Sequence, residues 1–212
     1  MAEALIRGFE RLISLKLYNV TILYTLLGRL ISHCSLLEQL VLHLPDNYRG
    51  VIEINAPRLK SLDYTGSVWS ISLKTVPLLA QLSLALTGGY ILEAKPHYTR
   101  FFESFCALEH LHLDNYSVKV DDSGVPMALD NIDLEGSFGD TAFNNLSIIV
   151  IRSIRGTNPH MQQLKLILAE SPTLMRIIIE VLTYEDYEIL KSVIKRSEFR
   201  CASPDAEVVL NY

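Results

Sequence analysis

Leu108-Glu109-His110-Leu111-His112-Leu113 puts leucine at the first, fourth and sixth of six positions. The same spacing returns at Leu12-Ile13-Ser14-Leu15-Lys16-Leu17, Leu37-Glu38-Gln39-Leu40-Val41-Leu42 and Leu79-Ala80-Gln81-Leu82-Ser83-Leu84. Side chains alternate across a strand, so the fourth and sixth positions face one side and the residue between them faces the other. One such strand buries too little apolar surface to persist alone, but parallel stacking of successive copies makes a continuous core. Looser copies begin at Leu59, Leu129, Leu146 and Leu174. The starting positions 12, 37, 59, 79, 108, 129, 146 and 174 are separated by 25, 22, 20, 29, 21, 17 and 28 residues. Most of these steps match the ~20 to 29 residues of a leucine-rich repeat.

Between copies the chain must return to the start of the next strand. Ile22, Leu23, Leu26, Leu27, Leu30 and Ile31 follow helical spacing, whereas Val51-Ile52-Glu53-Ile54 and Ile71-Ser72-Leu73 are too short for helices and predict outer-wall strands. The stretch from Asp114 to Pro126, with Asp121-Asp122-Ser123-Gly124, reads as a loop or a degraded repeat. The expected fold is α/β: over residues 1–142, a leucine-rich-repeat solenoid with a parallel sheet on its inner curve and an outer wall of mixed helix and short strand.

From about Phe143 the pattern changes. A strand over residues 146–151 leads to a turn at Gly156. A helix follows, with Asn158 as N-cap, Pro159 at its first position and the stripe Met161, Leu164, Ile167 and Leu168. Ser171-Pro172 ends it. A strand over residues 174–181 precedes Thr183-Tyr184-Glu185-Asp186, which predicts a capped helix to about Lys195. A short strand over residues 207–210 closes the sheet. Residues 143–212 are thus expected to form a second unit.

The run Leu146-Ser-Ile-Ile-Val-Ile-Arg-Ser-Ile-Arg-Gly156, then Met161-Gln-Gln-Leu-Lys-Leu-Ile-Leu-Ala-Glu-Ser171-Pro172-Thr-Leu174-Met-Arg-Ile177, resembles the FBD domain. Phe199-Arg200-Cys201-Ala202-Ser203-Pro204-Asp205-Ala206-Glu207 resembles that domain's last motif, and Ala56-Pro57-Arg58-Leu59 and Val76-Pro77-Leu78-Leu79 are similar to the repeats that precede it in plant F-box proteins. The resemblance implies the target-holding half of a substrate receptor for cullin-based ubiquitin ligases, in which an F-box docks the ligase adaptor. The first repeat begins at Leu12 with no F-box ahead of it, so the adaptor is an expected partner only if an F-box is supplied. The alternative is a stand-alone scaffold or truncated paralogue without ligase contact.

Other classes fit less well. A formal charge of −5 argues against a nucleic-acid binder, which needs a basic face. No apolar run approaches the ~18 residues of a membrane span, and Met1 to Gly8 does not read as a secretory signal, so a cytoplasmic or nuclear location is expected. Cys34, Cys106 and Cys201 are odd in number and widely spaced, which predicts small core residues rather than disulfides or a metal knuckle. His110 and His112 share one strand face without a third ligand placed beside them, and Gly88-Gly89 lacks a phosphate-binding motif. No catalytic constellation, metal site or cofactor site is expected. The candidate binding residues are those between the inward leucines: Lys16, Tyr18, Val41, His43, Asp63, Ser83, His110, His112, Asp114, Asp133 and Glu135.

Overall fold

The computed structural model describes residues 8–45, 48, 50–67, 70–86, 106–114, 143–154, 164, 165, 167–195 and 202–212. In chain order its elements are β1 (Ser14–Tyr18), α1 (Tyr24–His33), β2 (Gln39–His43), β3 (Ile52–Asn55), β4 (Ser61–Gly66), β5 (Ile71–Thr75) and β6 (Gln81–Leu86). They are followed by β7 (His110–Asp114), β8 (Ile148–Ile154), β9 (Arg176–Val181), α2 (Tyr184–Lys195) and β10 (Glu207–Asn211). Eight strands form one sheet in the order β1-β2-β4-β6-β7-β8-β9-β10, and β3 and β5 form a separate pair. Every pairing in both sheets is parallel.

The six-residue motif is written directly into the hydrogen bonds. The residue after each first leucine offers its carbonyl to two successive N–H groups of the next copy: Glu38 and Gln39 donate to Ile13, Lys60 and Ser61 to Glu38, and Ala80 and Gln81 to Lys60. Glu109 and His110 then donate to Ala80, Ser147 and Ile148 to Glu109, and Met175 and Arg176 to Ser147. The first leucine closes a turn on the residue three before it, as Leu37 N–H to Cys34, Leu59 to Ala56, Leu79 to Val76, Leu146 to Phe143 and Leu174 to Ser171. Those five acceptor residues are all buried. Pro57, Pro77 and Pro172 follow three of them, at the turn position for which proline's fixed φ is suited. Buried Ser171 satisfies its hydroxyl by donating to the Ile167 carbonyl at 2.6 Å.

In the core, the fourth and sixth positions line up across the sheet. Leu40, Leu62, Leu82, Leu111, Ile149 and Ile177 make one buried row, and Leu42, Tyr64, Leu84, Leu113, Ile151 and Ile179 make the next. Ile52 and Ile54 of β3 and Leu27 and Ile31 of α1 belong to the same buried cluster. Close packing of α1 on β3 needs the glycine at position 28, where a Cβ would stand 3.1 Å from the Glu53 carbonyl oxygen. α1 and the two short strands β3 and β5 therefore form where their apolar spacing predicts. Leu164, Ile167 and Leu168 are buried and helical, while Asn158 and Met161 lie outside the described residues. α2 begins behind Thr183, whose Oγ1 accepts the Asp186 N–H at 3.2 Å and whose hydroxyl donates to the Asp186 carboxylate at 2.7 Å.

The sheet steps directly from β7 to β8, with Leu111 beside Ile149 and Leu113 beside Ile151, so the elements on either side of Phe143 share one ladder. The weak copy at Leu129 lies outside the described residues, as does Cys201. One cysteine departs from its expected place. Cys34 is buried three before Leu37, but Cys106 stands two before Leu108, a turn position that is exposed in the other copies as Ser35, Pro57, Pro77, Asn144 and Pro172.

Candidate functional site: the open face of the sheet

The positions between the buried leucines fall into three rows on the other face of the sheet. The middle row runs Lys16, Val41, Asp63, Ser83, His112, and the register extends it through Val150, Ile178 and Val209. The row towards the strand ends runs Tyr18, His43, Thr65, Ala85, Asp114, Arg152. His110 sits in the row towards the strand starts, beside Gln81 and Ile148. Nine of the expected candidates are thus brought onto one face; Asp133 and Glu135 lie outside the described residues.

The half of this face over β1 to β7 is polar and internally paired. The Tyr18 and His43 rings meet edge-on with centroids 4.9 Å apart, and His43 Nε2 lies 3.4 Å from Asp63 Oδ1. Ser83 Oγ is 3.4 Å from His112 Nδ1, and the Ser153 hydroxyl donates to Asp114 Oδ1 at 3.1 Å. Ser153 reaches Asp114 because β8 carries an irregularity between Ile151 and Ile154, at which Ser153 adopts φ 57°. His112 Nε2 is buried without a hydrogen-bond partner. Burial, reinforced by the neighbouring Arg152 guanidinium, holds the His112 imidazole below its ordinary range and so favours its neutral form.

The half over β8 to β10 is of a different kind, and the reading of the inward leucines missed it. Val150, Ile178 and Val209 form an apolar, half-buried strip. On one flank Arg152 Nε meets Glu180 Oε2 at 2.8 Å, and on the other Arg176 Nε meets Glu207 Oε2 at 2.7 Å. Such exposed ion pairs add little stability, but they hold four charges in pairs at the margins of the strip. Val150 and Ile178 are the fifth residues of the copies at Leu146 and Leu174, but β-branched residues on both faces of Ile148-Ile149-Val150-Ile151 and Ile177-Ile178-Ile179 blur the alternation there, and no copy covers Val209. The fifth position of those two copies was the signal that could have found Val150 and Ile178.

Among the described residues no group of three or more His, Cys, Asp or Glu side chains could hold a metal ion. No helix among them is long and apolar enough to cross a membrane. Comparison with protein-family models, with curated proteins and with solved structures finds no significant match.

Proposed function

We propose that this chain is a protein-binding module, a short leucine-rich-repeat solenoid whose partner docks on the open face of the eight-stranded sheet. The observation that carries the reading is the strip Val150, Ile178 and Val209 bracketed by the Arg152–Glu180 and Arg176–Glu207 pairs. An apolar centre with a polar rim is the anatomy of a protein interface. The repeated carbonyl position, the recurrent turn at the first leucine and the outer helix and strands support the solenoid part of the reading. The resemblance at residues 146–179 supports the more specific role, the target-holding part of a ubiquitin-ligase receptor of the F-box type. The alternative remains a scaffold without ligase contact.

The test is capture of a target by the full chain, compared between the natural protein and Val150→Asp/Ile178→Asp, with Met175→Asp as the control at an exposed site off the strip. A partner held by natural and control chains and released by the double variant supports the open face. Retention by a correctly folded double variant sinks it. Separately, recovery of the ligase adaptor with an F-box-extended chain would favour the receptor over the scaffold, and failure of that extended chain would favour the scaffold.

A further inference from the structure

The two outermost strands of the large sheet, β1 and β10, each leave one side of a parallel ladder unpaired among the described residues. Alternation decides which groups are free. Gln39 N–H donates to Ile13 and Asn19 N–H to His43, so the odd-numbered residues of β1 face β2, and the backbone groups of Ser14, Lys16 and Tyr18 face outwards. Glu207 N–H donates to Met175, so β10 turns its odd residues to β9, and Val208 and Leu210 face outwards. These two free edges have the parity that one more parallel pairing requires. Among the described residues, most of the large exposed apolar side chains also lie at these ends: Phe9, Ile13, Tyr18 and Leu23 at one, Leu182, Tyr184, Val208 and Tyr212 at the other. Exposed strand edges are pairing templates, and folded proteins usually block them.

We propose that the occupant of each edge is a second copy of this chain, stacked head to tail so that β10 of one copy pairs with β1 of the next. Continuing the internal register sets Ser14 beside Glu207, Lys16 beside Val209 and Tyr18 beside Asn211. It also carries both core rows across the junction, since Leu15 then meets Val208 and Leu17 meets Leu210. Leu15, Leu17 and Leu210 are each only partly buried within one copy. Charge favours this orientation. Among the described residues, 8–38 hold three Arg or Lys and two Asp or Glu, a net +1, whereas 170–195 and 202–212 together hold three and seven, a net −4. The interface is heterologous, so it propagates from copy to copy instead of closing as a two-fold dimer.

The experiment is light scattering of the full chain after size exclusion, over a concentration series. The natural chain is expected to rise above its single-chain mass of 23.9 kDa as concentration increases. Lys16→Pro and Val208→Pro each remove an outward N–H without touching an internal ladder bond, and each variant alone is expected to stay at single-chain mass. Mixed together, they retain one natural β10 edge and one natural β1 edge, and are expected to form a species of twice the chain mass and no larger. Ile13→Asp and Val208→Asp repeat the mixing test through side chains, and far-UV circular dichroism confirms that the variants are folded. A natural chain that stays at single-chain mass at every concentration overturns the proposal. So does self-association of either folded variant alone, or a mixture that fails to pair.

Discussion

Tyr64 donates its hydroxyl to the Ser67 carbonyl at 2.6 Å, across the space that a side chain at Gly66 would fill. A Cβ on Gly66 would lie 2.7 Å from the Tyr64 oxygen and 3.0 Å from Cζ. Tyr64 takes the sixth motif position, where most copies have leucine, and is fully buried. Its burial pushes the phenol well above its ordinary range. Gly66→Ala is therefore expected to cost about 1–3 kcal/mol through overpacking, measured as a lower urea midpoint. Tyr64→Phe loses a hydrogen bond, at about 1 kcal/mol, but removes the atom nearest to the new methyl. The double variant should be less destabilised than the two losses added together, and strict additivity would count against this contact.

His112 predicts a pH dependence. Burial is the larger cause of its lowered proton affinity and Arg152 the next, while the carboxylates of Asp114, Glu180 and Asp63 oppose the shift without cancelling it. Below an ordinary value of about 6.5 the unfolded imidazole takes up a proton that the folded one still refuses. The unfolded state then binds more protons, so this contribution is present above that value and is lost as the pH falls through the lowered folded value. His112→Gln should remove that part of the slope in urea midpoints collected at descending pH. Identical slopes in the two proteins would show that His112 is not its source.

Leu111 and Met175 separate core from surface within the repeat. Leu111 is 1% exposed and Met175 is 69% exposed. Leu111→Ala should destabilise by about 2–5 kcal/mol, the cost of lost burial plus a cavity. Met175→Ala should stay within about 0.5 kcal/mol, as for most surface changes. Chemical denaturation of the two variants checks the assignment, and comparable losses would mean that the sheet faces have been read the wrong way round.

Thr183 caps α2 on both sides of one interaction, accepting the Asp186 N–H and donating to its carboxylate. Thr183→Ala is expected to cost about 0.5–2 kcal/mol, and Thr183→Ser much less, because serine can still cap. Thermal unfolding of the pair distinguishes a cap from a side chain that merely fills space; equal losses would argue for the latter.

Much of the fold was legible in the sequence because the leucine motif states it twice, once as alternation and once as repetition. Leu108 to Leu113 show which two side chains go inward, and the recurrence at Leu12, Leu37 and Leu79 shows that each strand has like neighbours. The helical spacing from Ile22 to Ile31 and the Thr183 cap were equally local, and α1 and α2 formed where those signals lie. A buried turn residue three before the first leucine was also present in five copies, as Cys34, Ala56, Val76, Phe143 and Ser171, while Phe9 in the same turn before Leu12 is exposed; the five identities differ, so no common residue type revealed it.

The sequence by itself determined the parallel strands, their inward leucines and the Lys16-to-His112 part of the open face, because period-two alternation is a property of each strand taken alone. Tertiary structure alone decided what stands beside what. The ladder carried the middle row on to Val150, Ile178 and Val209, placed Arg152 against Glu180 and Arg176 against Glu207, and left β1 and β10 as the two edges. The physical reason is register. β-branched residues on both faces of a strand blur its inward side, and a side chain's neighbours across the sheet are set by which backbone groups pair across separations of 20 to 38 residues, from Ser61 beside Gln81 to His112 beside Val150, which no local pattern records.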